Sequence, residues 1–146
     1  MKRRLRKKLR KKEFQELGFI VMFSYLPDIE EEVVWKVICH FDSLGMSMGG
    51  GGSSVHSDWY VSPSYKKPMT YRQRLELAAD ARKQWEVYLE SVDEVLSFSI
   101  GQPEDAWYPS RKNNDDYKIH LKKMLSSTLP EVVSEELNRM LNRTLV

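Results

Sequence analysis

The chain has one cysteine, six prolines and seven glycines in 146 residues, and each scarcity removes a class of protein. Cys39 cannot close an internal disulfide, so the fold is indifferent to redox and suits a reducing cytoplasm. No CxxC, HxxxH or HExxH occurs, which removes the spacings that zinc sites commonly use. Long apolar runs are missing as well. The longest candidate, Gly18 to Leu26, has nine residues where a bilayer needs about 20. A basic segment precedes it, as in a secretory signal, but Glu13 and Glu16 intervene and no small-x-small cleavage site follows. Acid is absent from the first twelve residues altogether.

What stands there instead is Lys or Arg at nine of twelve positions, ending abruptly at Glu13. The fourteen cations left face all 21 acids, so the rest of the chain carries a net −7 beneath an overall +2. A cationic arm on an anionic body is the result. Like charge this dense repels itself and buries no apolar area, which predicts disorder over residues 1–12 until an anion neutralises it. Nucleic acid is the natural partner, because displacing counterions from phosphates is what such a segment does best. The candidate RNA-binding residues are therefore Arg3, Arg4, Arg6, Lys7, Lys8, Arg10, Lys11 and Lys12. Leu5 and Leu9 stand four apart, giving a helical arm a small apolar seam with Arg and Lys over the remaining face. A solubilising tail is the plain alternative, and in a eukaryotic setting a nuclear import signal or polybasic anchor would read the same way.

The run RRLRKKL, followed by Glu13-Phe14-Gln15-Glu16-Leu17-Gly18-Phe19 and an apolar strand, resembles the opening of the YggL family of 50S ribosome-binding proteins. Gly49 to Gly52 before Trp59-Tyr60, and the ending Asp105-Ala106-Trp107-Tyr108, extend the resemblance over about residues 2–108. It implies a small bacterial α+β domain, the 50S subunit and its rRNA as partner, and a non-enzymatic role. The last forty residues or so depart from the family pattern.

Alternating positions from Leu17 to Leu26 are largely apolar in both sets, the mark of a strand covered on both faces and central in its sheet. Asp28 and Glu31 form a capping-box-like pair before Ile29, Val33, Val37 and Phe41, an amphipathic helix closed by Gly45. Met46 to Met48 reads as a short edge strand, the glycines with Ser53 and Ser54 as its turn, and Val55 to Ser62 as the return strand. Thr70 and Gln73 form a second capping box, opening a helix of about six turns with Tyr71, Leu75, Ala78, Arg82, Trp85, Leu89 and Val92 as its stripe and Ala79 widening it. Leu96, Phe98 and Ile100 alternate with Ser97 and Ser99 as a last strand with one wet face.

This order predicts a ferredoxin-like βαββαβ α+β sandwich over residues 13–109, with a four-stranded antiparallel sheet and both helices on one face. Residues 110–146 read as a linker and a C-terminal helical tail, with Tyr117, Leu121, Met124 and Leu125 on one helix and Val133, Leu137, Met140 and Leu141 on another. The tail is expected to be dispensable for folding.

The chemistry-bearing residues favour structural roles. Gly49 to Ser54 lacks the Lys-Ser/Thr and following helix of a phosphate loop. Cys39 and His40 are adjacent on a helix and point apart; Cys39 reads as a small, partly buried side chain, and His40, His56 and His120 as surface or satisfied polar groups. Trp59, Tyr60 and Trp107 lack basic neighbours, so core or sheet packing suits them better than base stacking. No catalytic residue, metal or cofactor is expected. The expected function is a non-enzymatic, cytoplasmic, 50S-associated protein gripping rRNA with its arm; the alternative is a protein-interaction module using the C-terminal helices or the acidic body, without membrane contact.

Overall fold

The computed structural model describes residues 2–9, 16–65, 69–105 and 113–144. Its elements run α1 (Arg3–Leu9), β1 (Leu17–Ser24), α2 (Glu30–Ser43), β2 (Ser47–Gly52), β3 (His56–Ser62), α3 (Tyr71–Ser91), β4 (Ser97–Ile100), β5 (Glu104–Asp105), α4 (Asn113–Leu125) and α5 (Glu131–Thr144). The main sheet has the order β2-β3-β1-β4, antiparallel throughout, with the short β5 pairing β1 at Leu17 and Gly18. This is the α+β sandwich expected, with β1 and β3 inside and β2 and β4 at the edges.

β1 is central because nearly every side chain on it is apolar. Phe19, Val21 and Phe23 face a core built with Val33, Val37 and Phe41 of α2 and Ala81, Trp85 and Leu89 of α3. The Phe41 and Trp85 rings stack there at 3.7 Å between centroids and 8° between planes. Both helices thus share one face. Met22 points to the other, where it joins Leu121 and Met124 of α4 and Val133, Leu137 and Met140 of α5. Residues 113–144 are therefore not an appendage: they bury the second face of the sheet, and their expected dispensability does not fit this packing. The same packing corrects the wet face of β4. Ser97 and Ser99 are 6% and 1% exposed, Ser97 Oγ lies 2.6 Å from Ser24 Oγ, and Ser99 Oγ lies 2.6 Å from His120 Nδ1.

Three local expectations shift. The glycine run is itself the edge strand rather than the turn, since Gly49 to Gly52 pair with Tyr60, Trp59, Asp58 and Ser57. No side chain caps α2; Ile29 holds the capping position and Asp28 sits in the turn with φ +76°, a conformation that Asp tolerates better than most residues. On α3 the capping box forms as expected, but Tyr71 and Leu75 are half exposed while Arg74 is buried. Its guanidinium lies over the Tyr65 ring, 5.0 Å from the centroid.

Gly45 does close α2. At φ +80° its N–H donates to Asp42 O and that of Met46 to Phe41 O, the paired bonds of a Schellman ending.

Candidate nucleic-acid interface

The arm enters the fold at a fixed root. The Leu17 N–H donates to Tyr65 Oη at 3.0 Å, while Tyr65 Oη and Ser62 Oγ donate to Leu17 O at 2.7 and 3.0 Å. Burial pushes the Tyr65 phenol up to about 12, so the hydroxyl stays protonated and keeps that donation at any physiological pH. Gly18 is needed at the same place, since a Cβ there would lie 2.5 Å from Tyr60 Cε1 and 2.8 Å from Val61 O. The Leu-Gly-Phe of the opening string thus places Leu17 and Phe19 in the interior and leaves room for Tyr60 between them.

Ahead of that root, α1 carries Arg3, Arg4, Arg6, Lys7 and Lys8 on two helical turns. Its first turn begins with the Leu5 and Arg6 N–H groups donating to Lys2 O. Arg3 and Arg4 are exposed, Arg6 is half-buried, and Leu5 remains 46% exposed. At 100° per residue, Arg3, Arg4 and Arg6 each stand at least 100° around the helix from Leu5. Arg10, Lys11 and Lys12 lie outside the described residues. Seven residues are fewer than the about 12–15 that hold a helix in water unaided, so this turn has the length of a segment that a partner would fix.

Aromatic stacking adds little to this surface. Trp59 packs against the α2–α3 core, and Trp107 is outside the described residues. Tyr60 lines a cavity of about 690 Å³ with Ile20, Arg82, Gln102, Tyr117 and His120, its hydroxyl buried and without a hydrogen-bond partner among the described residues. Burial raises its pKa and so keeps the phenol protonated, with Glu104 and Asp105 adding to the effect.

The histidines are engaged. His40 stacks on Tyr88 at 3.9 Å. His56 Nδ1 lies 2.6 Å from Ser53 Oγ, and its Nε2 3.5 Å from Asp58 Oδ2, which also accepts from Tyr117 Oη at 2.9 Å. Burial holds His120 below the ordinary imidazole range. Beside it, Ser99 is buried, and among the described residues no carboxylate hydrogen-bonds the ring's other nitrogen, so the pair lacks the third member of a catalytic triad. No group of three metal-ligating side chains occurs among the described residues. Cys39 is exposed rather than partly buried.

One aromatic escaped the sequence reading. Trp35 is 71% exposed on α2, and its position opposite Val33, Val37 and Phe41 was the available signal.

The geometry defines a two-core α+β domain with a polycationic helix ahead of its central strand. A family model described as YggL 50S ribosome-binding protein matches residues 3–108, and the chain belongs to that family. No curated protein and no solved structure matches it. The match begins within α1 and ends short of α4, so α4 and α5 lie beyond it. Among the described residues no helix is long and apolar enough to cross a membrane.

Proposed function

We propose that this protein is a non-enzymatic, cytoplasmic, ribosome-associated protein that binds the 50S subunit, with Arg3, Arg4, Arg6, Lys7, Lys8, Arg10, Lys11 and Lys12 contacting rRNA. The family match over residues 3–108 carries the reading, because it includes α1 as well as the sheet. Charge separation supports the division of labour: the cations are concentrated ahead of β1 while the remainder is net −7. Phosphates are drawn to the first part and repelled by the second.

An interaction module working through the C-terminal helices has less to recommend it. The apolar stripe it would use is spent on the sheet, with Leu121, Met124, Val133 and Leu137 all at 0% exposure.

Co-sedimentation with purified 50S and 30S subunits is the test. The protein should pellet with 50S and stay in solution with 30S. Equal pelleting with both would reduce the claim to general RNA binding, and pelleting with neither would overturn it.

A further inference from the structure

The outer face of α2 is a surface that RNA binding leaves unused. Val33, Val37 and Phe41 turn the helix's apolar side to the core. Opposite them, at helical spacing, stand Glu31, Trp35, Cys39 and Asp42, with Glu32 alongside. Trp35 is the most exposed of the large hydrophobic side chains described, at 71%, and an indole left in water forgoes burial that its size makes valuable. Glu31, Glu32 and Asp42 are exposed too, and among the described residues none of them enters an ion pair. Lys36, the nearest cation on the helix, is engaged by Glu94 at 3.4 Å.

We propose that this face docks an arginine-bearing cationic segment of a protein partner. A guanidinium stacks on the Trp35 ring, and flanking cations pair with Glu31, Glu32 and Asp42. Indole is the aromatic face that attracts a cation most strongly, and guanidinium is the cation that stacks on it most often. Other occupants fit less well. Three carboxylates on the same helix face as Trp35 repel a phosphate backbone, and a second copy of the same face would set those carboxylates against their like. The described part of the chain's own arm, residues 2–9, leaves Trp35 exposed. Buried under a partner, such a tryptophan would be the anchor of the contact and the carboxylates its polar rim.

The test uses the full chain and two short synthetic peptides of equal charge, alanine alternating with arginine in one and with lysine in the other. Amide resonances from Glu31 to Asp42 should shift on titration, and the arginine peptide should bind more tightly. Trp35→Ala should weaken the arginine peptide about tenfold and the lysine peptide less. The thermal midpoint should stay put, since the side chain is exposed. A combined Glu31→Gln, Glu32→Gln, Asp42→Asn variant should lose most of the salt dependence. The proposal falls if Trp35→Ala binds as the parent does, if the shifts gather at other acids, or if single-stranded homopolymer RNA moves the same resonances. No ribosome enters the assay, so its failure would leave the 50S reading standing, and loss of 50S binding would not touch this surface.

Discussion

A methyl group distinguishes the glycines of β2. Built on Gly50 or Gly52 it would lie 2.1 Å from the Asp58 or His56 carbonyl oxygen, whereas on Gly49 or Gly51 it would meet nothing within 4 Å. Gly50→Ala and Gly52→Ala should each cost about 1–3 kcal/mol through backbone displacement. Gly49→Ala and Gly51→Ala should be neutral or slightly stabilising, because they restrict the unfolded chain. Urea unfolding of the four variants decides it, and equal losses at all four would show that glycine's flexibility, rather than close approach, is what the strand requires. Composition placed this run at a sheet edge but could not show its alternation, which depends on where the β3 carbonyls lie. His120 gives a second test at this scale. Burial lowers its proton affinity, with Lys123 and Arg82 acting the same way and Asp116 and Asp58 opposing. The unfolded chain takes up a proton near pH 6.5 that the native chain still refuses. Stability present at neutral pH should therefore fall as pH drops below about 6.5. His120→Asn, which keeps a polar atom towards Ser99, should flatten that fall between about pH 7.5 and 5.5. An unchanged slope would remove His120 as its source.

The helices and strands divide by how much of their environment is local. β1 was legible as a strand with two covered faces from Leu17, Phe19, Val21 and Phe23 alternating with Ile20 and Met22. What covered the second face was not legible, because it lies a hundred residues downstream and its helices read as self-contained. The stripe of α3 was misplaced for a related reason. Hydropathy favours Tyr71 and Leu75, but the helical row through Ala78, Ala81, Trp85 and Leu89 extends back to Arg74, whose burial beside Tyr65 only the fold reveals. Leu121 tests how the C-terminal helices are coupled to the rest. It is 0% exposed, in the cluster containing Met22 of β1. Leu121→Ala should cost about 2–5 kcal/mol, as large-to-small changes in a packed core do. That loss should appear as one lowered transition by both tryptophan fluorescence and far-ultraviolet circular dichroism, since Trp85 and Met22 lie against opposite faces of one sheet. Two separated transitions would mean that α4 and α5 unfold independently.

For the whole molecule, the decisive quantity is where the charge sits. Neutralising Z phosphates makes log K fall linearly with log salt, with a slope of about −0.9Z on duplex and −0.7Z on single strands. If about six of the arm's nine cations engage RNA, affinity for the 50S subunit should drop on the order of a thousandfold between 50 and 200 mM salt. Deleting residues 2–12 should abolish binding and cost little stability, because the Leu5 side chain is already 46% exposed. A subtler exchange separates charge from shape. Replacing Arg3, Arg4, Arg6 and Arg10 with lysine keeps every charge and removes the planar fork that grips a phosphate through two oxygens. Contacts made by charge alone would keep both the affinity and the salt slope. Contacts fitted to a particular rRNA site should weaken, while the slope stays the same and the preference for 50S over bulk RNA declines. We expect the second outcome, since five of the seven residues after Lys2 are arginine or lysine and the two exceptions, Leu5 and Leu9, stand four apart, a pattern with a face rather than a uniform charge. Continued pelleting of the arm-deleted chain with 50S at physiological salt would move recognition to the body, and α1 would lose its assigned role.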